Sequence, residues 1–357
     1  MSLDDLRKQI DTIDDEIATL LAKRMDIVEK IGHLKSQNNS AVYRPEREKA
    51  IISRLSQKLE NSKLNKKDIE AIFSEVFCIS RLLEGSSKIA FLGPIGTYTY
   101  EAALSRFGKS SSFTPLNTID LVFKEVSTNR AKFGVVPIEN NTQGAVGASF
   151  DALEKYKNIK IIGEIYLDIN HALCGVCGNL KDIKRIYSHS QAYGQCREFL
   201  CSHGLDEVQF IETDSTSKGA MLAKNDEFSA TICSKTAAKL SALPIIKENI
   251  QDVLGNRTRF FVISLNEVAA SGDDKTSILA ITLDRPGALF ELLGVFKEHG
   301  INITHLESRP VKRGNFESLF YLDFVGHKDN EIVAIALEKI KNLGIGIRVL
   351  GSYARSE

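Results

Sequence analysis

A chain of 357 residues is longer than one hydrophobic core readily organises and suits two or three domains of about 100 to 200 residues. Its 43% apolar and 26% charged residues exclude a disordered or fibrous chain, and 46 basic against 46 acidic residues leave no overall positive field to hold nucleic acid or an anionic membrane. The charged residues of the first turns (Asp4, Asp5, Arg7, Asp11, Asp14, Asp15) exclude a signal-peptide core, no apolar run is long enough to span a bilayer, and 6 cysteines without a secretion signal read as reduced thiols, so a cytoplasmic protein is expected.

From Leu3 to Lys35 the residues Leu3, Leu6, Ile10, Ile13, Ile17, Leu20, Leu21, Ile27, Val28, Ile31 and Leu34 recur every three or four positions, with neither Gly nor Pro before Gly32. The spacing predicts one helix of roughly 50 Å, too long for a small lone domain to cover. Its apolar stripe is therefore expected to pack on a partner chain, in a homodimer or, if dimers pair, a homotetramer. Pro45 opens a second helix to about Glu60. A third starts near Asn65 or Asp68, places Ile69, Ile72, Phe73, Val76 and Phe77 at helical spacing and stops at Gly85, where Gly85-Ser86-Ser87 forms a linker.

Charged side chains belong on the wet face of such helices, so those falling on the stripe need a cause. Arg24 and Lys35 are eleven positions apart, about 20° around an ideal helix, and both are expected to face inward. Arg7 lies about 100° from Arg24 and cannot easily serve the same pocket from the same chain. Ser80 and Glu84 continue the inward face of the third helix, and Arg47 and Glu48 open the second. Taken singly, these arginines could make rim ion pairs on a helical oligomerisation module. Taken together, inward cations with few inward acids would cost several kcal/mol each unless an anionic ligand fills the space.

Through Leu6-Arg7, Leu21-Ala22-Lys23-Arg24, Ile31-Gly32-His33-Leu34-Lys35, Arg47-Glu48 and the stretch from Ser80 to Glu84, residues 1–85 resemble the all-helical chorismate mutases. The resemblance implies that Arg24, with Arg7 reaching in from a partner subunit, binds the carboxylates of chorismate. Lys35 and Glu84 would hydrogen-bond the ether oxygen whose bond breaks, Glu48 would hold the ring hydroxyl, and Arg47 and Ser80 would complete the pocket. Some members carry Gln where this chain has Glu84. A carboxylate cannot donate to the ether oxygen, so Glu84 would have to be protonated in use.

Beyond the linker the texture changes to short β runs (Lys88 to Leu92, Phe133 to Pro137, Lys160 to Leu167, Ala230 to Cys233, Phe260 to Leu265) alternating with helical stretches, an α/β domain over residues 88–266. The first run leads into Gly93-Pro94-Ile95-Gly96-Thr97 and a helical stretch from Tyr100 to Phe107. That layout lets an anion approach a helix N-terminus but lacks the GxGxxG dinucleotide spacing. Polar clusters then recur at strand ends: Glu139-Asn140-Asn141-Thr142-Gln143 after Val136-Pro137-Ile138, Ser188-His189-Ser190-Gln191 after Ile186-Tyr187, and Asn256-Arg257-Thr258-Arg259-Phe260 before another strand. Surface loops would explain each cluster alone, but strand ends at a cleft are where open α/β sheets bind ligands. Cys174 and Cys177 form a CxxC without the second ligand pair a zinc site wants, so both are read as buried small residues, and no metal or other cofactor is expected.

In family order, Gly-Pro-x-Gly-Thr, Val-Pro-Ile-Glu-Asn, Ser-His-x-Gln-Ala and Thr-Arg-Phe resemble the prephenate dehydratases across residues 88–266. That implies two lobes of the periplasmic-binding-protein type with the site between them, the chain crossing near Glu164 and returning near Pro244. It makes Thr258 the leading catalytic residue, assisting departure of the ring hydroxyl as carbon dioxide leaves prephenate. Arg259 would pair with a substrate carboxylate or brace the loop. Thr97, Glu139, Asn140, Ser188, Gln191 and Phe260 would shape the pocket, with His189 structural rather than a general acid. Asn141 and Ser190 depart from the commoner Ser and Pro.

A polar run around Ala270 to Asp274 forms a second linker, and from Lys275 the order strand, helix, strand, strand, helix, strand is the ferredoxin-like α+β arrangement. Gly287-Ala288-Leu289-Phe290 opens its first helix after Pro286, and Glu307-Ser308-Arg309-Pro310 ends a strand. Read alone, Gly287 and Pro310 are turn residues and Arg309 a surface cation. Both motifs resemble the phenylalanine-binding ACT domain, over residues 275–357, which implies phenylalanine bound at an interface between paired domains and feedback inhibition. The three resemblances jointly imply a bifunctional enzyme that carries chorismate through prephenate to phenylpyruvate. One alternative is a fused prephenate dehydrogenase, against which the missing dinucleotide motif speaks. The other is a non-catalytic amino-acid sensor with a helical dimerisation module.

Overall fold

The computed structural model describes residues 2–37, 43–85, 88–177, 179–283, 285–310 and 317–356. The chain divides into two units, Met1–Ser87 with Phe107–Ser112, and Lys88–Arg106 with Phe113–Glu357. Of the first linker, Ser86 and Ser87 lie outside the described residues.

In the first unit α1 spans Leu3–Gln37, with Asp4 and Asp5 at its positive end and Lys35 in its last turn, each favourable to the helix dipole. Helix α2 runs Pro45–Lys58 with its proline in the first turn, and α3 runs Lys66–Glu84. Asn65 caps α3 reciprocally: its side chain accepts from the Asp68 amide, and the Asp68 carboxylate accepts from the Asn65 amide. Helix α3 packs on α1 and α2, with Ile52, Ile69 and Phe77 in the core. Gly32 permits the approach of α1 to α3, since a Cβ there would lie 2.8 Å from the Glu84 Cα. Only the C-terminal part of α1 is covered. Residues 2–23 are all exposed, including Leu6, Ile10, Ile13 and Ile17, so the apolar stripe has no cover among the described residues.

The second unit begins with β1 (Lys88–Leu92), α4 (Tyr98–Phe107), β2 (Ser112–Leu116), α5 (Ile119–Ser127), β3 (Phe133–Asn140), β4 (Gly144–Ala145), α6 (Gly147–Lys155) and β5 (Lys160–Asp168), which build a first lobe. The second lobe follows as β6 (Ala172–Cys174), β7 (Arg185–Ser188), α7 (Ser190–Gly194), α8 (Arg197–Ser202), β8 (Gln209–Glu212), α9 (Thr216–Ala223), β9 (Ser229–Cys233), α10 (Lys235–Leu240) and β10 (Ile245–Lys247), before β11 (Arg257–Ser264) returns to the first. Strand orders are β2-β1-β3-β11-β5, with β4 on β3, and β10-β6-β9-β7-β8. The chain thus crosses after Asp168 and returns between Lys247 and Arg257, which corrects the expected crossings. Glu164 sits within β5 opposite Phe261, and Pro244 precedes a strand paired with β6. Cys174 and Cys177 are both buried in this second lobe.

Two strands reach further into polar sequence than their composition predicts. Strand β3 continues through Glu139 and Asn140, whose ladder partners are Arg259 and Thr258. Strand β11 starts at Arg257, so most of the Asn256 to Phe260 cluster is strand and not the loop before one. Pairing with β3 on one side and β5 on the other outweighs the weak strand preference of these residues. Their side chains therefore alternate between two faces of the sheet.

The chain ends with β12 (Asp274–Leu283), α11 (Ala288–Glu298), β13 (Ile303–Pro310), β14 (Glu317–Val325), α12 (Glu331–Asn342) and β15 (Gly346–Ala354), in strand order β13-β14-β12-β15. Ile278, Ala280, Leu322 and Phe324 form one core with residues of α11 and α12. Leu279, Leu319, Tyr321 and Tyr353 belong instead to the core of the first lobe, with Phe150 and Phe261. The third sheet is thus buried on both faces.

Candidate functional sites

In the first unit, Arg24 is half-buried and its Nη1 donates to Ser80 Oγ at 2.5 Å, with the guanidinium 5.9 Å from the Phe77 ring. Burial pulls its pKa below the ordinary arginine value; Glu84 counters this and Arg47 reinforces it. Lys35 Nζ lies 2.5 Å from Glu84 Oε2, the side chains 16% and 12% exposed. Both α1 cations therefore face α3. Glu84 here accepts from a cation instead of standing ready to donate to an ether oxygen. Glu48 bonds Arg81, a buried arginine lying 5.9 Å from each of the Tyr43 and Phe107 rings. Glu46 is half-buried, and burial raises its pKa. Arg47 is exposed. Arg7, seventeen positions before Arg24 and roughly 25 Å up the helix, is exposed and paired only with Asp4 at 3.4 Å among the described residues.

Between the two lobes lies a cavity of about 240 Å³, walled by Thr97, Asn140, Thr258 and Phe260 from the first lobe and by His171, His189, Gln191, Gln195 and Asp214 to Thr216 from the second. Thr258 Oγ1 accepts from Asn140 Nδ2 at 2.7 Å, which leaves its own proton to be donated elsewhere. Asn140 is held in turn: its Nδ2 also donates to Asn256 Oδ1 at 2.9 Å, and its Oδ1 accepts from the Thr142 amide and hydroxyl at 3.0 and 2.6 Å. Asn256 Nδ2 donates to Gln195 Oε1 at 3.3 Å, and the same oxygen lies 2.8 Å from His171 Nε2. Burial lowers the His171 pKa, with Gln195 opposing, so the ring is neutral. Because Gln195 Oε1 can only accept, the His171 proton is assigned to Nε2, and Nδ1 lies 2.9 Å from the Tyr98 hydroxyl, whose one proton is shared between Nδ1 and the Asn170 carbonyl at 2.8 Å. A hydrogen-bonded chain thus crosses the cleft from Tyr98 to Thr258. No Lys or Arg is among the lining residues; the N-terminal ends of α4 and α9 border the cavity instead.

Thr97 reaches the wall, although its hydroxyl donates within its own turn to Pro94 O at 3.0 Å. Gln191 and His189 line the wall as well, and His189 caps α7 by accepting from the Gln191 amide at 3.2 Å. Ser188 does not reach the cavity: it is fully buried and donates to Ile232 O at 3.2 Å. Glu139 and Arg259, expected in the pocket, also lie off it, because each neighbours a cavity residue on a paired strand. Glu139 Oε2 is 3.3 Å from His305 Nδ1 on β13. Arg259 donates to Glu164 Oε2 at 2.8 Å, to Asp323 Oδ2 at 2.5 Å and to the Tyr353 hydroxyl at 3.1 Å. Lys275 joins Glu164 at 2.9 Å, making a buried cluster of two cations and two carboxylates.

In the third sheet, Gly287 caps α11 with φ +86°, Ala288 is buried, Leu289 is partly buried and Phe290 is 80% exposed. Glu307, Ser308 and Arg309 lie on the edge strand β13. Arg309 is anchored rather than loose on the surface: its Nη2 is 3.1 Å from Asp151 on α6, and a Cβ on Gly147 would lie 2.9 Å from its Nη1. Pro310 closes the strand, and its side chain lies outside the described residues.

Family models match three consecutive segments: Chorismate mutase type II over residues 6–85, Prephenate dehydratase over 89–268 and ACT domain over 276–344. The bifunctional chorismate mutase/prephenate dehydratase of Aquifex aeolicus is 40% identical over 357 residues, 99% of this chain and 98% of that one. The chain belongs to this bifunctional family. The Pseudomonas aeruginosa member is 38% identical over 98% of this chain and 97% of its own length. A solved prephenate dehydratase from Arthrobacter aurescens, in complex with L-Phe, is 32% identical with a TM-score of 0.69, covering 75% of this chain and 90% of that one. A bifunctional chorismate mutase/prephenate dehydratase is both an isomerase and a lyase, and this chain carries both enzyme domains followed by an ACT domain. Among the described residues no helix is long and apolar enough to cross a membrane.

Sequence reasoning overlooked part of each site of this bifunctional enzyme. Arg81 lies four residues after Phe77, so the same spacing that turned Ser80 and Glu84 inward could have found it. Gln195 carries no local signal: it meets Asn256, a member of the strand-end cluster, across 61 positions. Tyr321 and Asp323 had one, as polar residues alternating with Phe320, Leu322 and Phe324, whereas Lys275 and Ser277 are hidden in the unbroken polar run Asp274 to Ser277.

Proposed function

We propose that the helical domain rearranges chorismate to prephenate, and that the two-lobed domain converts prephenate to phenylpyruvate, under inhibition by phenylalanine bound to the C-terminal domain. What carries this is that both enzyme domains turn chemistry-bearing groups inward, Arg24 and Lys35 in one and the Asn140–Thr258 pair in the other. In the rearrangement one C–O bond breaks as one C–C bond forms, so no nucleophile or base is needed. Arg24 holds a carboxylate, and Lys35 donates to the ether oxygen as negative charge grows there. Glu84 and Ser80 flank these two cations, Glu48, held by Arg81, takes the ring hydroxyl, and Arg47 closes the rim. Arg7 reaches a second copy's site when the bare stripe of α1 packs in a homodimer, because it is too far from Arg24 of its own chain.

In the dehydratase cavity the ring carboxylate leaves as carbon dioxide, and its bonding electrons enter the ring. The ring hydroxyl departs, takes up a proton and leaves as water. Thr258 donates a hydrogen bond to that departing oxygen while Asn140 fixes the threonine rotamer. Phe260, Thr97 and Gln191 shape the space around the substrate. Neutral donors suit this chemistry. An arginine clamped on the departing carboxylate would favour the ground state and lose its partner as the group becomes uncharged, so it would raise the barrier. The N-terminal ends of α4 and α9 offer amides to the substrate's side-chain carboxylate, which stays in the product, so binding it carries no such penalty. All six cysteines are free thiols, which fits a reducing, cytoplasmic setting.

The test is to supply chorismate to the purified full chain without nucleotide or metal, and prephenate in a separate assay. Chorismate loss, phenylpyruvate formation and a fall in the latter on adding phenylalanine are expected. A chain that leaves both substrates untouched would instead be a sensor.

A further inference from the structure

Thr258 and Asn140 are register partners across β11 and β3, and they hydrogen-bond at the cavity. The next register pair, Arg259 and Glu139, lies off the cavity, and each of its members is held by the regulatory sheet. Asp323 of β14 meets Arg259 at 2.5 Å, and His305 of β13 meets Glu139 at 3.3 Å. Asp323 and His305 are themselves register partners. One cross-strand pair of the regulatory sheet therefore sits on the pair immediately beside the proposed catalytic pair.

The Asp323 end of this contact is rigid. Its Oδ1 accepts from Ser277 Oγ at 2.5 Å and from the Tyr321 hydroxyl at 2.6 Å, while Oδ2 takes Arg259, and the residue is fully buried. The guanidinium is pinned at both ends, by Asp323 at Nη1 and by Glu164 at Nε. Swinging away would leave buried charge unpaired, so a shift of β14 must carry the Arg259 backbone with it, and Thr258 is the adjacent residue. Hydrogen-bond catalysis tolerates little displacement: about 1 Å can cost 100-fold. Strand β13, which carries Glu307, Ser308 and Arg309, pairs with β14 along its length and is well placed to move it.

We propose that Asp323 is a positioning residue for the dehydratase reaction, acting from the regulatory sheet through Arg259 to hold Thr258 in register with Asn140, and that effector binding on β13 is felt at the active site along this path. This rests on the proposed role of Thr258 and extends it. The experiment uses the full chain carrying Asp323→Asn, which keeps shape and removes charge, and separately Arg259→Lys, which keeps charge and removes the fork. Dehydratase kcat and KM, mutase kcat and the phenylalanine concentration for half-inhibition are measured against wild type. Mutase turnover reports on the folding of a unit that contains neither residue.

Each variant is expected to lower dehydratase kcat by roughly 10- to 100-fold with KM within about twofold. Mutase is expected to be unchanged, and the half-inhibiting phenylalanine concentration to rise at least about fivefold. The last readout separates positioning from folding, because a smaller folded fraction would lower kcat yet leave the response of the surviving molecules as it was. Should Asp323→Asn fail to fold, Arg259→Lys carries the same readouts. A kcat within twofold of wild type, or a lowered kcat with an unchanged phenylalanine response, overturns the proposal. A wild-type chain that forms no phenylpyruvate refutes the parent function instead.

Discussion

Arg259 Nη1 and Asp323 Oδ2 stand 2.5 Å apart with 4% and 0% of their side chains exposed. They belong to different sheets, and with Lys275 and Glu164 they make a cluster of no net charge. Such a cluster adds little stability over an apolar contact, but removing one member strands a charge at a cost of about 3–5 kcal/mol. Lys275→Met is therefore expected to lower the melting temperature of the second unit, and adding Glu164→Gln to the same chain should recover part of the loss. Calorimetry of the two variants checks this; strictly additive losses would mean that the residues do not act as a pair.

Thr258→Val keeps the β-branched shape that suits a strand and deletes only the hydroxyl. Dehydratase turnover should fall about 100-fold or more while chorismate consumption is unaffected, and Thr258→Ser should keep most of the activity. Phenylpyruvate absorbance measured on prephenate decides it. A valine variant with wild-type turnover would remove the hydroxyl from the mechanism.

The helical unit and the order of elements in the regulatory domain were legible because their periodicity is local: the stripe of α1, the Pro45 start and the Asn65 cap all lie within one or two turns of the features they predict. Thr258 was legible as a candidate, but the face it shares was not. Polar residues ending β3 and opening β11 read as loops, and only cross-strand pairing, across more than 110 positions of sequence, shows that they are strand and that Glu139 and Arg259 turn away from Asn140 and Thr258. Ser188 failed for a related reason, since its hydroxyl is taken by a neighbouring strand that sequence does not place beside it.

Arg7 and Lys35 offer a test of the dimer that does not depend on measuring its size. Arg7→Ala and Lys35→Ala chains should each have mutase turnover reduced about 100-fold or more. If Arg7 serves the partner's site, a mixed dimer of the two variants contains one site with both residues intact. Random re-pairing of equal amounts should then restore about one quarter of wild-type activity, by the symmetry of a twofold assembly. Mixtures that never exceed their components would place Arg7 outside the partner's pocket.

His171 gives the second unit a pH response whose sign is set by burial. Its pKa in the folded chain is depressed, by burial first and against the hydrogen bond to Gln195, so the folded state stays neutral where an unfolded chain, near pH 6.5, takes up a proton. The stabilising contribution is full above about pH 6.5 and is lost as pH falls from there toward the depressed value. Melting temperatures should therefore drop between about pH 7.5 and pH 5.5 by more in wild type than in His171→Gln, which can still bond both Gln195 and Tyr98. Parallel pH dependences would show that the buried ring does not titrate as described.

Gly287 isolates the effector response from the chemistry. It holds φ +86° at the cap of α11, and a Cβ there would touch nothing within 4 Å, so alanine adds backbone strain and no clash. Strain in the left-handed region is about 1–2 kcal/mol for a residue with a side chain, and the turn can relieve it only by re-aiming the first amides of the helix. Those amides, at the positive end of the helix dipole, suit a carboxylate such as that of phenylalanine. If the effector binds there, Gly287→Ala should raise its half-inhibiting concentration by roughly 5- to 30-fold, the strain converted at about 1.4 kcal/mol per decade. Gly294→Ala is the control: it lies within the same helix, also meets nothing within 4 Å and should stabilise α11 without altering the response. A Gly287→Ala chain with the wild-type response would put the effector elsewhere on the sheet, and equal shifts from both alanines would trace the effect to helix stability and not to the cap.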